Sequence, residues 1–195
     1  MVDDLVYKFD YDFDRERLLK EAMEQGEWRR GDTETRGVLF EDGIRRRKLK
    51  MRNGINHSSS RAVTKIDYFN KNAHPDTCPY AMEIRNHFHN LTKLNCAFQP
   101  QFWLLKEGSP LPFHLDPFQC VINLVLTEDP DPIKFKSSED SDYINEVYYN
   151  VGLVNTQILH SIEGGKTRYL FKLPFSPRVP FSKVKEVLSS KLSEI

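Results

Sequence analysis

The sequence predicts a mainly β domain, an antiparallel sandwich or barrel, with helices flanking it at both ends. From residue 98 onward, short runs rich in β-branched and aromatic residues follow one another, separated by Gly, Pro, Asn and acidic residues. Outside this region, three segments space their apolar residues as amphipathic helices do. A chain of 195 residues suits one domain with a sizeable core.

The N-terminal region begins with a predicted strand over residues 5–9. Asp14 can then cap a first helix that runs to about residue 25, because its side chain can accept from the exposed N–H groups of the first turn. Gly26 is a plausible end for this helix. Residues 29–62 are polar and irregular, and we expect the region from residue 29 to residue 72 to cover the substrate.

The second helix is predicted over residues 77–91, with Asp76 or Thr77 as its cap. A last amphipathic helix is predicted over residues 182–192. The β-rich runs between these two helices predict strands at residues 98–105, 120–127, 133–135, 147–154, 157–162 and 167–173.

Composition excludes several classes of protein. Aromatic residues make up 12% of the chain, which argues against disorder, and 28 basic residues balance 28 acidic ones. A neutral chain gives no general attraction for polyanions or anionic lipid. Three cysteines without CxxC spacing predict reduced thiols rather than a disulfide framework.

The sequence also indicates a soluble, cytoplasmic protein. The acidic N-terminus lacks the apolar segment of a signal peptide. The longest apolar stretch, residues 120–126, has the length of a strand and is too short to cross a bilayer. We therefore expect no membrane partner.

The segment Leu111-Pro-Phe-His-Leu-Asp-Pro-Phe118 predicts part of a metal site. His114 and Asp116 are two residues apart, so on an extended chain both side chains leave the same face. His160 follows 44 residues after Asp116 within another strand pattern. Two imidazoles and one carboxylate can occupy one face of an octahedron and leave three positions open, as non-haem Fe(II) oxygenases require. The alternative is a hydrogen-bonded loop pair with His160 as a core residue.

Arg168 comes eight residues after His160, beyond the turn Glu163-Gly-Gly-Lys166. The two strands joined by this turn would place Arg168 deeper in the same barrel as His160. A planar guanidinium can pair bidentately with a carboxylate at the far end of a dicarboxylate. A surface salt bridge is the alternative role for Arg168.

The segments around His114-Leu-Asp116, His160 and Arg168 resemble the Fe(II)- and 2-oxoglutarate-dependent dioxygenases. The run from Gly152 to Arg168 is most similar to the aspartyl/asparaginyl hydroxylase and prolyl-hydroxylase-like branches. The resemblance covers about residues 95–175. It implies a double-stranded β-helix, the jelly roll that cupins also have, at the core of the chain.

The resemblance also implies the roles of individual residues. His114, Asp116 and His160 would be the Fe(II) ligands, and Arg168 would bind the C5 carboxylate of 2-oxoglutarate. Asp116 departs from the aspartyl/asparaginyl branch, which often lacks the acidic ligand, and argues against a halogenase, which has Gly or Ala there.

Two further residues are candidates for contact with the co-substrate. Asn123 stands where the aspartyl/asparaginyl branch tends to have a basic contact, so the C1 end of 2-oxoglutarate is left without an assigned residue. Trp103 alternates with Phe102 on a predicted strand, so one face of that strand can line the pocket. Simple packing of the β-core is the alternative role for Trp103.

Together these features predict a single oxygenase domain over residues 1–195. Residues 1–93 would form a helical and irregular support, residues 94–175 the jelly-roll core, and residues 181–193 the C-terminal helix. With Fe(II), 2-oxoglutarate and O2, the enzyme would hydroxylate an unactivated C–H bond of an amino-acid-like small molecule or of a protein residue. Succinate and CO2 would be released.

Two other functions remain open from the sequence. A cupin-like protein could bind a metal or small ligand on the same fold without oxidising anything. A nucleic-acid oxygenase of the same superfamily could use the basic run at residues 45–52, which has six cations in eight positions. No second arginine follows Arg168 at the spacing of the nucleic-acid-repair branch, so nucleic acid is the less favoured substrate.

Overall fold

The computed structural model describes residues 4–30, 68–94, 99–116, 118–138 and 141–193. The basic run at residues 45–52 and Cys96 lie outside these ranges. None of the helices within them is long and apolar enough to span a membrane.

Eleven strands and three helices are found in the described residues. The strands are β1 (Val6–Lys8), β2 (Arg29–Arg30), β3 (Tyr68–Asn72), β4 (Gln101–Leu105), β5 (Leu111–His114), β6 (Cys120–Val125), β7 (Ile133–Lys136), β8 (Asn145–Val147), β9 (Val151–Asn155), β10 (Leu159–Ile162) and β11 (Arg168–Pro174). The helices are α1 (Arg15–Glu24), α2 (Pro79–Thr92) and α3 (Phe181–Leu192).

The strands form two antiparallel sheets. The large sheet has seven strands in the order β1-β9-β6-β11-β4-β3-β2, and the small sheet has four in the order β5-β10-β7-β8. The eight strands β4 to β11 divide equally between the sheets, and within each sheet strands distant in sequence lie side by side. This is the double-sheet arrangement of a jelly roll. The predicted fold class is confirmed.

Alternation along the strands gives the large sheet two buried faces. Phe171 and Leu173 of β11 pack with residues of the three helices, whereas Leu170 packs with residues that face the small sheet. Arg168 and Lys172 have the same parity as Leu170, so they lie on the face toward the small sheet. The space between the two sheets is therefore where this strand presents its two basic residues.

The first helix follows the sequence prediction, and the second differs in how it begins. Asp14 caps α1, where its side chain accepts from the backbone N–H of Arg17 at 2.9 Å. The residue that precedes α2 is Cys78, which provides no side-chain cap. Instead, the carboxylate of Glu21 in α1 accepts from the N–H groups of Tyr80 at 2.8 Å and Ala81 at 2.9 Å.

Glu21 can take the place of a local cap residue for a physical reason. The first N–H groups of a helix need acceptors, and those acceptors can come from any part of the chain. Asp76 and Thr77 are therefore not needed as caps, and the prediction that one of them would serve was wrong.

The sheets differ from the sequence prediction in one strand that is divided and in the strands β2, β3 and β5, which are not among those predicted. The predicted strand over residues 147–154 is two strands, because the chain leaves the small sheet after β8 and enters the large sheet at β9. The strand β3 was not predicted, since its mixed sequence Tyr-Phe-Asn-Lys-Asn lacks clear alternation of apolar residues. It pairs with β4 and extends the large sheet beyond the jelly roll.

Candidate metal centre

The fold brings together the three residues proposed as metal ligands. His114 ends β5 and is the register partner of His160 in β10, and their ring centroids are 4.3 Å apart. Asp116 follows β5 by two residues. One ligand atom from each of the three buried side chains lies within 4.8 Å of the others. Within the described residues, this is the one group of His, Cys, Asp and Glu side chains with such spacing.

Backbone carbonyls orient both imidazoles in the same way. Nδ1 of His114 donates to the carbonyl oxygen of Pro112 at 2.8 Å, and Nδ1 of His160 donates to that of Ile158 at 2.9 Å. A proton on Nδ1 leaves the lone pair on Nε2, the nitrogen directed toward Asp116 in His114. Nε2 of His114 lies 3.7 Å from Oδ1 of Asp116.

Burial keeps His160 in the form that binds metals. Removal from water, followed by the nearby His114, lowers the pKa of His160 to about 3. The carboxylate of Asp116 acts in the opposite direction but is outweighed. His160 is therefore a neutral imidazole at neutral pH, as metal coordination requires.

Contacts with both sheets hold Asp116. Its backbone N–H donates to the carbonyl oxygen of Thr156 at 3.2 Å, and Nε2 of Gln157 donates to its backbone carbonyl at 3.1 Å. Its Oδ2 lies 3.3 Å from Nζ of Lys172 on β11 of the large sheet. The two carboxylate oxygens thus have different surroundings, with Oδ1 near His114 and Oδ2 near Lys172.

A narrow cavity between the sheets begins at this cluster. Five of the six residues proposed for the site line it: Trp103, His114, Asn123, His160 and Arg168. The remaining walls are mostly apolar, with Leu105, Leu111 and Ile162 among them. Its volume of about 40 Å³ corresponds to a few water molecules.

Arg168 lines this cavity and is 2% exposed. One guanidinium nitrogen donates to the backbone carbonyl of Asp131, and the guanidinium carbon lies 5.6 Å from the centroid of the Tyr149 ring. Among the described residues, the buried Nε has no hydrogen-bond partner. A buried donor of this kind points to a ligand that supplies an acceptor.

Asn123 and Tyr149 form the adjoining wall. Nδ2 of Asn123 donates to the hydroxyl of Tyr149 at 2.9 Å, and its buried Oδ1 finds no partner in the part of the chain that the structure describes. Turning the amide by 180° would let Tyr149 donate to Oδ1 and would direct the amide N–H group elsewhere into the cavity. Asn123 can thus offer either an acceptor or a donor to a bound molecule.

Trp103 is part of the cavity wall. Its ring stacks on Tyr68 with a centroid separation of 4.9 Å, and its Nε1 donates to Gln101 at 3.1 Å. Nζ of Lys172 lies 4.2 Å from the Trp103 ring centroid. The indole therefore confines the site and contacts a neighbouring cation.

Two residues of the site were not identified from the sequence. Lys172 could have been found from its spacing, because it follows Arg168 by four residues on a strand and so shares its face. The second residue is one of two adjacent tyrosines, Tyr148 and Tyr149, and the sequence does not distinguish which of them faces the pocket. Tyr149 is the buried one, whereas Tyr148 is 58% exposed.

The residues present suit a divalent metal and, beside it, a bound molecule that carries a carboxylate. Two neutral imidazoles and one carboxylate form a donor set suited to Fe(II), with no thiolate among the three. Arg168, whose Nε is unpartnered among the described residues, lines the same cavity, and its guanidinium suits an anion.

Comparisons with known proteins found structural similarity only. No protein-family model and no curated protein match the chain. HygX from Streptomyces hygroscopicus, solved with nickel, 2-oxoglutarate and hygromycin B, is 10% identical, with 57% of this chain and 70% of HygX covered and a TM-score of 0.42. A 2OG-Fe(II) oxygenase family oxidoreductase from Burkholderia pseudomallei is 12% identical, with 57% and 69% covered and a TM-score of 0.43.

A salicylate 1,2-dioxygenase from Pseudaminobacter salicylatoxidans is 13% identical, with 47% of this chain and 23% of that chain covered and a TM-score of 0.31. At these identities and TM-scores, the functional inference rests on the site residues themselves.

Proposed function

We propose that this protein is an Fe(II)- and 2-oxoglutarate-dependent oxygenase. The observation that carries the proposal is the placement of His114, Asp116, His160 and Arg168 around one cavity. Three of them can ligate a metal, and the fourth is a buried cation with an unpartnered donor. The sequence resemblance associates the same four residues with this reaction.

The protein's part in the reaction is to orient groups. His114 and His160 present Nε2 because their Nδ1 atoms are engaged by carbonyls, and Asp116 supplies a carboxylate oxygen on the same side. When bound, Fe(II) with 2-oxoglutarate activates O2 for oxidation of an unactivated C–H bond. The open positions of a facial set of three ligands are those the co-substrate and O2 need.

Arg168 would bind the C5 carboxylate of 2-oxoglutarate, with Asn123 as a neighbouring polar contact. Asp131 and Tyr149 hold the guanidinium in place, so little side-chain entropy is lost when an anion binds. The apolar walls at Leu105 and Ile162 exclude water around this ion pair, which strengthens it. The reaction is a hydroxylation of an amino-acid-like small molecule or a protein residue, in the cytoplasm.

The proposal is tested by measuring turnover of 2-oxoglutarate in air. The chain loaded with Fe(II) is expected to release succinate from 2-oxoglutarate, slowly without a prime substrate and faster with one. His114→Ala and Asp116→Ala should abolish this release, because each removes a ligand to the metal. His87→Ala is the matched control, since His87 lies on α2 and packs on Tyr11.

Full succinate release by either ligand variant would contradict the site assignment. A wild-type chain that binds the metal but releases no succinate would instead support the cupin-like binding protein.

A further inference from the structure

Lys172 lies beside Asp116 in the site, although it is neither one of the three proposed metal ligands nor the proposed C5 carboxylate contact. Its side chain is 13% exposed, and its ammonium lies 3.3 Å from Oδ2 of Asp116 and 4.2 Å from the Trp103 ring centroid. Asp116 is 6% exposed, so its carboxylate needs a positive partner when it is ionised. Lys172 supplies that charge from the opposite sheet.

Lys172 and Arg168 are related by their strand. They are four residues apart on β11, so their Cα atoms are about 13 Å apart and their side chains leave the same face. Both line the cavity, and Lys172 lies beside the metal-ligand cluster. Two cations on one face of a strand, both lining one cavity, suit the two carboxylates of a short dicarboxylic acid.

The cavity is too small for such an acid as the side chains stand. Its volume of about 40 Å³ has room for about three water molecules, and a five-carbon dicarboxylate has ten non-hydrogen atoms. A wall side chain must therefore move when the acid binds. Lys172 is a suitable one, because a long flexible stem carries its ammonium and the contact with Asp116 is a single ion pair.

We propose that Lys172 has a different partner in each state of the site. In the metal-free site it is the counter-ion of Asp116, and once the metal and 2-oxoglutarate are bound it pairs with the C1 carboxylate of 2-oxoglutarate. The proposal rests on the proposed function and extends it to the C1 end of 2-oxoglutarate. The metal takes over as the positive partner of Asp116, and repulsion between the two cations drives the ammonium toward the incoming carboxylate. Lys172 thus competes with the metal for Asp116 but favours the anion that follows.

The two roles of Lys172 predict that a Lys172→Met variant binds the metal more tightly and 2-oxoglutarate more weakly than the wild type. Titration with Ni²⁺, which stands in for Fe(II), should show about tenfold tighter binding than in the wild type, because a competing cation is gone. Titration of the Ni²⁺-loaded protein with 2-oxoglutarate should show about 10- to 100-fold weaker binding, because a charged partner of one carboxylate is lost. A purely structural role would weaken both.

Lys172→Gln repeats the test if the methionine variant does not fold. Its amide can still donate to Asp116 Oδ2, but it carries no charge, so the same pair of shifts is expected. Lys136→Met is the matched control, because Lys136 is also a strand lysine, with its ammonium 4.8 Å from the Phe113 ring. Both affinities should be unchanged in that variant.

Any other pair of shifts in the Lys172 variants overturns the proposal. The failure of the proposed function is seen separately, as a wild-type chain that binds Ni²⁺ but not 2-oxoglutarate or that releases no succinate. The Ni²⁺ affinity of Lys172→Met still decides in that case whether Lys172 competes with the metal for Asp116.

Discussion

At the scale of single residues, the guanidinium of Arg168 is buried between the sheets and is not paired with a carboxylate of the described residues. It is 2% exposed, yet within the described residues its contacts are a backbone carbonyl and an aromatic face rather than a carboxylate. A buried cation without a counter-ion costs free energy, and a protein that keeps one gains by binding an anion there. The residue therefore argues for an anionic ligand independently of the metal cluster.

Arg168→Met is expected to separate ligand binding from folding. Affinity for 2-oxoglutarate should fall about 10- to 100-fold, because charge-assisted hydrogen bonds to the carboxylate are lost. The free energy of unfolding of the ligand-free protein should change by less than about 1 kcal/mol, because the lost bond to Asp131 is offset by removal of a buried charge. Calorimetric titration and urea denaturation measure the two quantities.

Arg17→Met is the control for this prediction, because the Arg17 guanidinium lies over the Tyr80 ring, away from the cavity. An Arg168→Met protein that keeps its affinity for 2-oxoglutarate would remove the basis for the carboxylate site.

At the scale of elements, the turn between β10 and β11 sets the positions of His160 and Arg168 relative to each other. Gly164 in this turn has φ of +73°, and a Cβ atom added there would lie 2.5 Å from the backbone oxygen of Ser109. The neighbouring turn is bound to it, since the N–H of Gly108 donates to the carbonyl of Gly164 at 2.8 Å. The two turns therefore pack as one unit at this end of the jelly roll.

Replacing Gly164 by Ala is expected to cost about 3 kcal/mol or more of unfolding free energy, since a positive φ and a backbone clash add together. Gly108→Ala is the matched control, because Gly108 has φ of +77° with open space around its Cα. Its cost should be about 1 kcal/mol, from the backbone conformation alone. Thermal and urea denaturation of both variants give the difference. Equal losses of unfolding free energy would show that the backbone at Ser109 moves away from the added methyl group at no cost.

At the scale of the whole molecule, the sequence predicts those parts of the fold and site that depend on local spacing. His114 and Asp116 share a strand-like spacing, and the glycine turn before Arg168 is visible in the sequence. The spacing from Arg168 puts Lys172 on the cavity face of its strand, but its pairing with Asp116, 56 residues away in sequence, cannot be predicted from local spacing. The cap of α2 by Glu21 was missed for the same reason, since no local pattern records a tertiary partner.

The metal cluster lies between the two sheets of the molecule. His114 and His160 belong to the small sheet, and Asp116 contacts Lys172 of the large sheet. Because the three ligands come together only in the folded chain, a bound metal stabilises the native state by mass action. Ni²⁺ at 100 times its dissociation constant should raise the free energy of unfolding by about 2.7 kcal/mol.

For a chain of this size, that gain corresponds to a rise in Tm of about 5 to 10 °C. Differential scanning calorimetry should show the rise in the wild-type chain and its reversal by a chelator. Asp116→Ala should abolish it, because two imidazoles alone hold the ion weakly. Mg²⁺ should have little effect, since it prefers oxygen ligands in octahedral geometry to imidazole. An equal rise in wild type and Asp116→Ala would place the bound ion elsewhere on the molecule, whereas loss of the rise in the variant ties the gain in stability to this one cluster.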